Sequence, residues 1–158
     1  MSARPVSSAL VSLVVLAAWT GAAVFVAAVV APAAFAALPS RALAGQVIGR
    51  TLPALFVSGI LVGLVVAVVR PLDAGRFVTG GAATLAVASA GALLVEFRLR
   101  AMQLGIGAPL DSLAVADPRR VAFGRLHGVS VLLMGIGIVG AVAAIAVIAR
   151  AIGARNVA

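Results

Sequence analysis

Residues 121–149, VAFGRLHGVSVLLMGIGIVGAVAAIAVIA, decide the fold. The first turns of this stretch carry Arg125 and the only histidine, His127, while residues 129–149 hold no charge. A bilayer's hydrocarbon core needs about 20 apolar residues of helix, so this run is long enough to cross it. Its polar end then sits at one membrane face, and other polar residues matter if they reach that face.

Three further runs extend the pattern. Residues 6–38 contain no charged residue, and a first span is expected over about 7–35, with Pro32 bending or ending it. An arginine, an apolar run and Ala34-Phe35-Ala36 imitate a secretory signal, but the run exceeds the ~7–15 residues of a cleaved one, which favours a retained span. After Pro39, Ser40 is placed to cap the next helix, and residues 41–50 read as an amphipathic approach to a second span over about 51–69, bent at Pro53. Residues 70–76 read as a tight polar turn into a third span over about 77–96, continuing towards Leu104. Asp117-Pro118 supplies an N-cap and a first-turn proline for the fourth helix, whose span covers about 121–149.

The composition agrees. The chain has 158 residues, 64% hydrophobic and only 10% charged, with a mean hydropathy of +1.26. A soluble domain carries about 25% charged residues, so a water-soluble core of this size is excluded. The expected architecture is an all-α integral membrane four-helix bundle, one domain over residues 1–158, with both termini on the same side. With no cysteine, disulfides and thiolate chemistry are ruled out. All 12 basic residues are arginines and flank apolar runs, where anionic headgroups are met; no basic face with interleaved aromatics suggests nucleic acid.

Four spans gather Arg41, Arg50, Arg98, Arg100, Arg119, Arg120 and Arg125 on the side opposite the termini, against Arg4, Arg70, Arg76, Arg150 and Arg155 on the terminal side. Seven against five leans towards cytoplasmic inter-helix loops. The same side receives Glu96 and His127 from consecutive helices. Ionisable groups at membrane depth are costly and are functional candidates, so Arg50, Glu96, Arg125 and His127 form a candidate ligand or ion site. The structural reading is an Glu96–Arg100 pair at i,i+4 with Arg125 reaching headgroups. One histidine without cysteine completes no usual metal or haem shell unaided, so no metal ligand is assigned, and no cofactor is indicated.

Small residues promise close helix contact: Gly59 and Gly63, the ridge of Gly80, Thr84, Ala88 and Ala92, and Gly135 and Gly140. Gly135, Gly137 and Gly140 fit G-x-G-x-x-G, but inside an apolar run they open no strand-to-helix turn, so a dinucleotide site is refused. Trp19 lies mid-run and is expected to face another helix, with its indole N–H bonded there.

The segments Trp19-Thr-Gly21 with Phe25, Ala31-Pro32-Ala-Ala-Phe35, Ala44-Gly45 with Gly49-Arg50, and Phe123-Gly124-Arg125-Leu126-His127-Gly128-Val-Ser130 resemble the bacterial membrane family of domain of unknown function 4149, related to transmembrane-205-type proteins. That resemblance implies a compact four-helix membrane domain and brings no established reaction. The family is broadly similar to four-helix copper-resistance membrane proteins. One histidine, with Met102 and Met134 the only methionines beyond the initiator, departs from copper handling.

Two functions follow. One is a membrane protein that binds or passes a small ligand or ion at its polar face. The other is an accessory subunit that docks on a larger membrane complex, or a homo-oligomer, through small-residue ridges. No Ser/His/Asp or paired-carboxylate pattern supports an enzyme. Besides the lipid bilayer, a membrane-protein partner is conceivable. Arginine-only basicity and abundant alanine suggest a GC-rich bacterial genome, and the expected location is the bacterial cytoplasmic (inner) membrane.

Overall fold

A computed structural model describes residues 4–69 and 75–157. Helix α1 (Arg4–Phe25), a π-helical turn (Val26–Val30) and α2 (Ala31–Ala37) form one continuous rod. Three long helices follow: α3 (Arg41–Val69), α4 (Gly75–Ile106) and α5 (Pro118–Val157). Each of the four rods is long and apolar enough to cross a membrane. The polar turn expected at residues 70–76 lies, through residue 74, outside the described residues.

Local chemistry explains the ends and irregularities. Pro32 does not end the first rod. Proline lacks an N–H and its ring crowds the carbonyl four residues back. The π turn just before it widens the helix, with Ala31 N–H reaching Val26 O, and the rod runs on to Ala37. Leu38, which precedes Pro39, is extended, as a residue before proline prefers. Ser40 caps α3: its Oγ accepts from Leu43 N–H at 3.2 Å. The approach expected at residues 41–50 and the second span are one uninterrupted helix.

Pro53 sits inside α3, so the carbonyl of Gly49, four residues back, loses its helical donor. Arg100 of α4 replaces that donor, with Nη2 3.0 Å from Gly49 O. Gly107, at φ 66°, ends α4 with the left-handed turn that glycine adopts freely. Asp117 caps α5 through Oδ1, which accepts Arg119 N–H at 2.8 Å.

Asp117 also carries a pH dependence. The Arg119 guanidinium donates to both its carboxylate oxygens, at 3.2 and 3.0 Å, and with the Arg119 backbone N–H holds the Asp117 carboxyl below its ordinary value. A lowered carboxyl favours the fold above the unfolded value and loses that contribution as pH falls through the folded one. Asp117→Ala is expected to speed amide exchange in the first turn of α5 at neutral pH, with the difference from the native chain closing on acidification. Hydrogen-exchange mass spectrometry across pH checks this, and equal exchange at neutral pH would exclude the cap.

Packing follows heptad stripes. On α4 the inward residues Val78, Ala82, Leu85, Ser89, Ala92, Glu96 and Leu99 are all buried and alternate steps of four and three. On α1 the stripe is Ala9, Ser12, Leu16, Trp19 and Ala23. Such spacing keeps one face towards a neighbour along a left-handed bundle. Helix α4 packs mainly on α5 and α3, and α1 closes the ring against the same two. The order around the bundle is therefore the order along the chain, and the termini share a side. Outward, Leu61, Leu64, Val68, Val87, Leu94 and Val139 expose large apolar side chains, a surface suited to acyl chains and not to water.

Glycines set the closest approaches. A Cβ on Gly63 would lie 2.5 Å from Ala82 O and 2.8 Å from Ala86 N. Gly81 and Gly140 face each other across α4 and α5, where either added Cβ would meet the other's carbonyl. Gly59 lies against Ser89 and the Trp19 indole. Gly80 and Gly135 meet nothing within 4 Å and line an outward groove instead. The indole N–H of Trp19 donates to Leu55 O at 2.9 Å, fixing α1 to α3.

Candidate functional site

The α4 stripe carries Glu96 into the bundle interior because it lies four residues after Ala92 and three before Leu99. Ser130 arrives opposite it on α5. Both are buried, 4% and 3% exposed, and Ser130 Oγ donates to Glu96 Oε1 at 3.1 Å. Among the described residues the single ion pair is Arg119–Asp117, so no cation sits directly on Glu96. His127 and Arg100 nevertheless lie within electrostatic reach of its carboxyl.

Depth follows from helix rise. Arg76 and Arg98 are the cations that bracket the apolar part of α4, about 33 Å apart at 1.5 Å per residue. Glu96, at the end of the uncharged run 77–95, lies about 3 Å inward of Arg98 and one turn, about 6 Å, inward of Arg100. His127 lies one turn outward of Ser130, towards the loops. It is exposed, as are Arg50 and Arg125. Of the four residues singled out in the sequence, the fold thus brings His127 towards Glu96, while Arg50 and Arg125 stand on the surface of the same end. Arg100 does not pair with Glu96 at i,i+4; it turns to the carbonyl freed by Pro53.

Two features of this end were not read from sequence. Ser130 is the direct partner of Glu96, three residues after His127 and so on the adjoining part of the same helix face. The loops also frame an open polar groove of about 550 Å³ lined by Arg41, Leu110, Asp111, Arg120, Phe123 and Gly124. Arg120 is held there by donation to Leu113 O at 2.8 Å.

Polar groups continue inward from Glu96. Ser89 is two turns along the same stripe, beside Gly59 and the Trp19 indole. Thr20 Oγ1 is buried without a hydrogen-bond partner among the described residues. Ser12 follows two turns from Trp19, also buried. Chemically, the arrangement offers a carboxyl with a hydroxyl donor, an imidazole on its outer side and hydroxyls beyond it. Among the described residues no three His, Asp or Glu side chains gather as a metal shell would require.

No curated protein and no solved structure matches the chain. A family model described as "Domain of unknown function (DUF4149)" matches residues 14–108, which include Trp19, Glu96 and Arg100 and stop short of His127 and Ser130. With more than half its length matched, this chain, an all-α protein with four membrane-length helices, belongs to the family of domain of unknown function 4149.

Proposed function

We propose that this protein handles a small ion in the bilayer, that the ion is the proton, and that Glu96 takes it up and releases it. The observation that carries the reading is the buried Glu96–Ser130 hydrogen bond, with no cation directly on the carboxyl among the described residues. A carboxyl desolvated at membrane depth is costly to keep for packing alone, and such groups serve as proton relays. His127 is the exchange partner on the loop side, since an imidazole ring can both donate and accept a proton. Arg50 and Arg125 set a positive potential at that end and draw anions to it without touching Glu96. Ser89, Thr20 and Ser12 extend the polar series towards the terminal side. A bacterial inner membrane, with its standing proton gradient, suits this activity.

The test is proton flux into vesicles that contain the purified protein and an internal pH indicator, under an imposed potassium diffusion potential. The native chain is expected to pass protons, Glu96→Gln to fall to the level of empty vesicles, and His127→Ala to be slowed. Flux in Glu96→Gln equal to native flux would overturn the proposal. So would native flux no higher than that of empty vesicles.

A further inference from the structure

The outward face between α4 and α5 holds a second feature, independent of Glu96. It is a groove of about 800 Å³, floored by Gly80, Gly81, Gly135 and Gly140 and walled by Val139 and Phe77. Its lining is apolar apart from Thr84, whose hydroxyl donates to Gly80 O, and Arg76 at one end, where the guanidinium lies over the Phe77 ring, 4.8 Å from the centroid. Arg150 is exposed and lies two turns beyond Ala143, a lining residue, on the same face of α5. Because α4 and α5 run antiparallel, with Gly81 against Ala144, Arg150 stands at the level of Arg76. One end of the groove therefore carries two cations at headgroup height.

The charge at its mouth selects its occupant. With Gly140 against Thr84 and Gly91 against Leu133, the lined stretches, 76–84 of α4 and 131–143 of α5, are staggered, and the groove runs about 25 Å along the bundle from the terminal side. An acyl chain lies along such an apolar slot with its headgroup at the end that carries the arginines. Two arginines at the mouth complement a phosphate.

We infer that this groove binds one anionic glycerophospholipid of the terminal-side leaflet, an acyl chain along the glycine floor and the phosphate between Arg76 and Arg150. The test is native mass spectrometry of the full chain in mild detergent with equal amounts of phosphatidylglycerol and phosphatidylcholine of identical acyl chains. One phosphatidylglycerol is expected to be retained in preference to phosphatidylcholine. Arg76→Gln is expected to weaken that preference by about fivefold, the effect of one interfacial arginine. Gly135→Leu fills the groove from a position with nothing within 4 Å, so the bundle folds while lipid retention falls. Equal retention of the two lipids would overturn the inference. So would phosphatidylglycerol retention untouched by Gly135→Leu in protein of native helix content, or a lipid-free dimer that Gly135→Leu dissociates.

Discussion

Glu96→Leu will leave the bundle as stable as the native one, within about 1 kcal/mol, while removing proton flux altogether. The two halves of this result together separate a functional carboxyl from a structural one. Among the described residues Glu96 makes one side-chain hydrogen bond in the interior, with Ser130, and has no ion pair to lose. Leucine is of similar size and suits a heptad stripe that already holds Leu85 and Leu99. The Ser130 hydroxyl, once released, can turn back to the carbonyl of Leu126 four residues earlier, so no buried donor is stranded. A buried polar group that does only structural work would show the reverse pattern, with stability lost. Denaturation in a mixed-micelle titration, followed by helical circular dichroism, measures the first half, and the vesicle assay measures the second. A loss of several kcal/mol with flux retained would assign Glu96 to packing.

Gly81→Leu will prevent α4 and α5 from closing, at a cost of about 3 kcal/mol or more, whereas Gly80→Ala next to it will be neutral or slightly stabilising. The contrast rests on one residue of helix phase. A Cβ at position 81 would stand 2.5 Å from Gly140 O and 3.1 Å from Ala144 Cβ, and a backbone carbonyl cannot move aside without moving its helix. At position 80 the added methyl meets nothing within 4 Å. Trp19, the only tryptophan, reports the outcome because its indole is buried against Gly59 and Leu55 of α3 and Gly137 of α5. Its emission is expected to shift to the red in Gly81→Leu and to stay native in Gly80→Ala. Native emission in both variants would mean that the two helices do not meet at these glycines.

That one-residue distinction shows where sequence reading succeeds and where it stops. The four spans were legible because bilayer thickness imposes a length and excludes charge. The caps at Ser40 and Asp117 were legible because they depend on neighbours in sequence. The ridge of Gly80, Thr84, Ala88 and Ala92 was not a packing face throughout. Steps of four residues turn about 40° each relative to the helix axis, so the ridge starts in the outward groove and ends in the core. Alternating steps of four and three hold their direction, and that stripe places Glu96 inside.

The pairing of Glu96 with Ser130 needed something else: the register of α5 against α4, set by Gly81 meeting Gly140 across the bundle. No local pattern contains it. Arg100 is the intermediate case. Pairing with Glu96 at i,i+4 was the local expectation, but Pro53 frees the Gly49 carbonyl on α3, at the loop-side end of the helices, and leaves an acceptor there without its helical donor. The nearby guanidinium is drawn there, and Glu96 keeps a neutral hydroxyl as its direct partner.

Infrared difference spectroscopy through a pH titration tests the central claim most directly. Glu96 is the only glutamate among four acidic residues, and Asp111, in the short 3-10 turn Leu110–Ser112, and Asp117, just before α5, lie outside the four membrane-length helices, so its signal is separable. The account predicts a carboxylic-acid carbonyl band that comes and goes with pH in the native protein, shifts in Ser130→Ala and is absent from Glu96→Gln. Identical difference spectra for the native protein and Glu96→Gln would show that Glu96 exchanges no proton and would contradict the account.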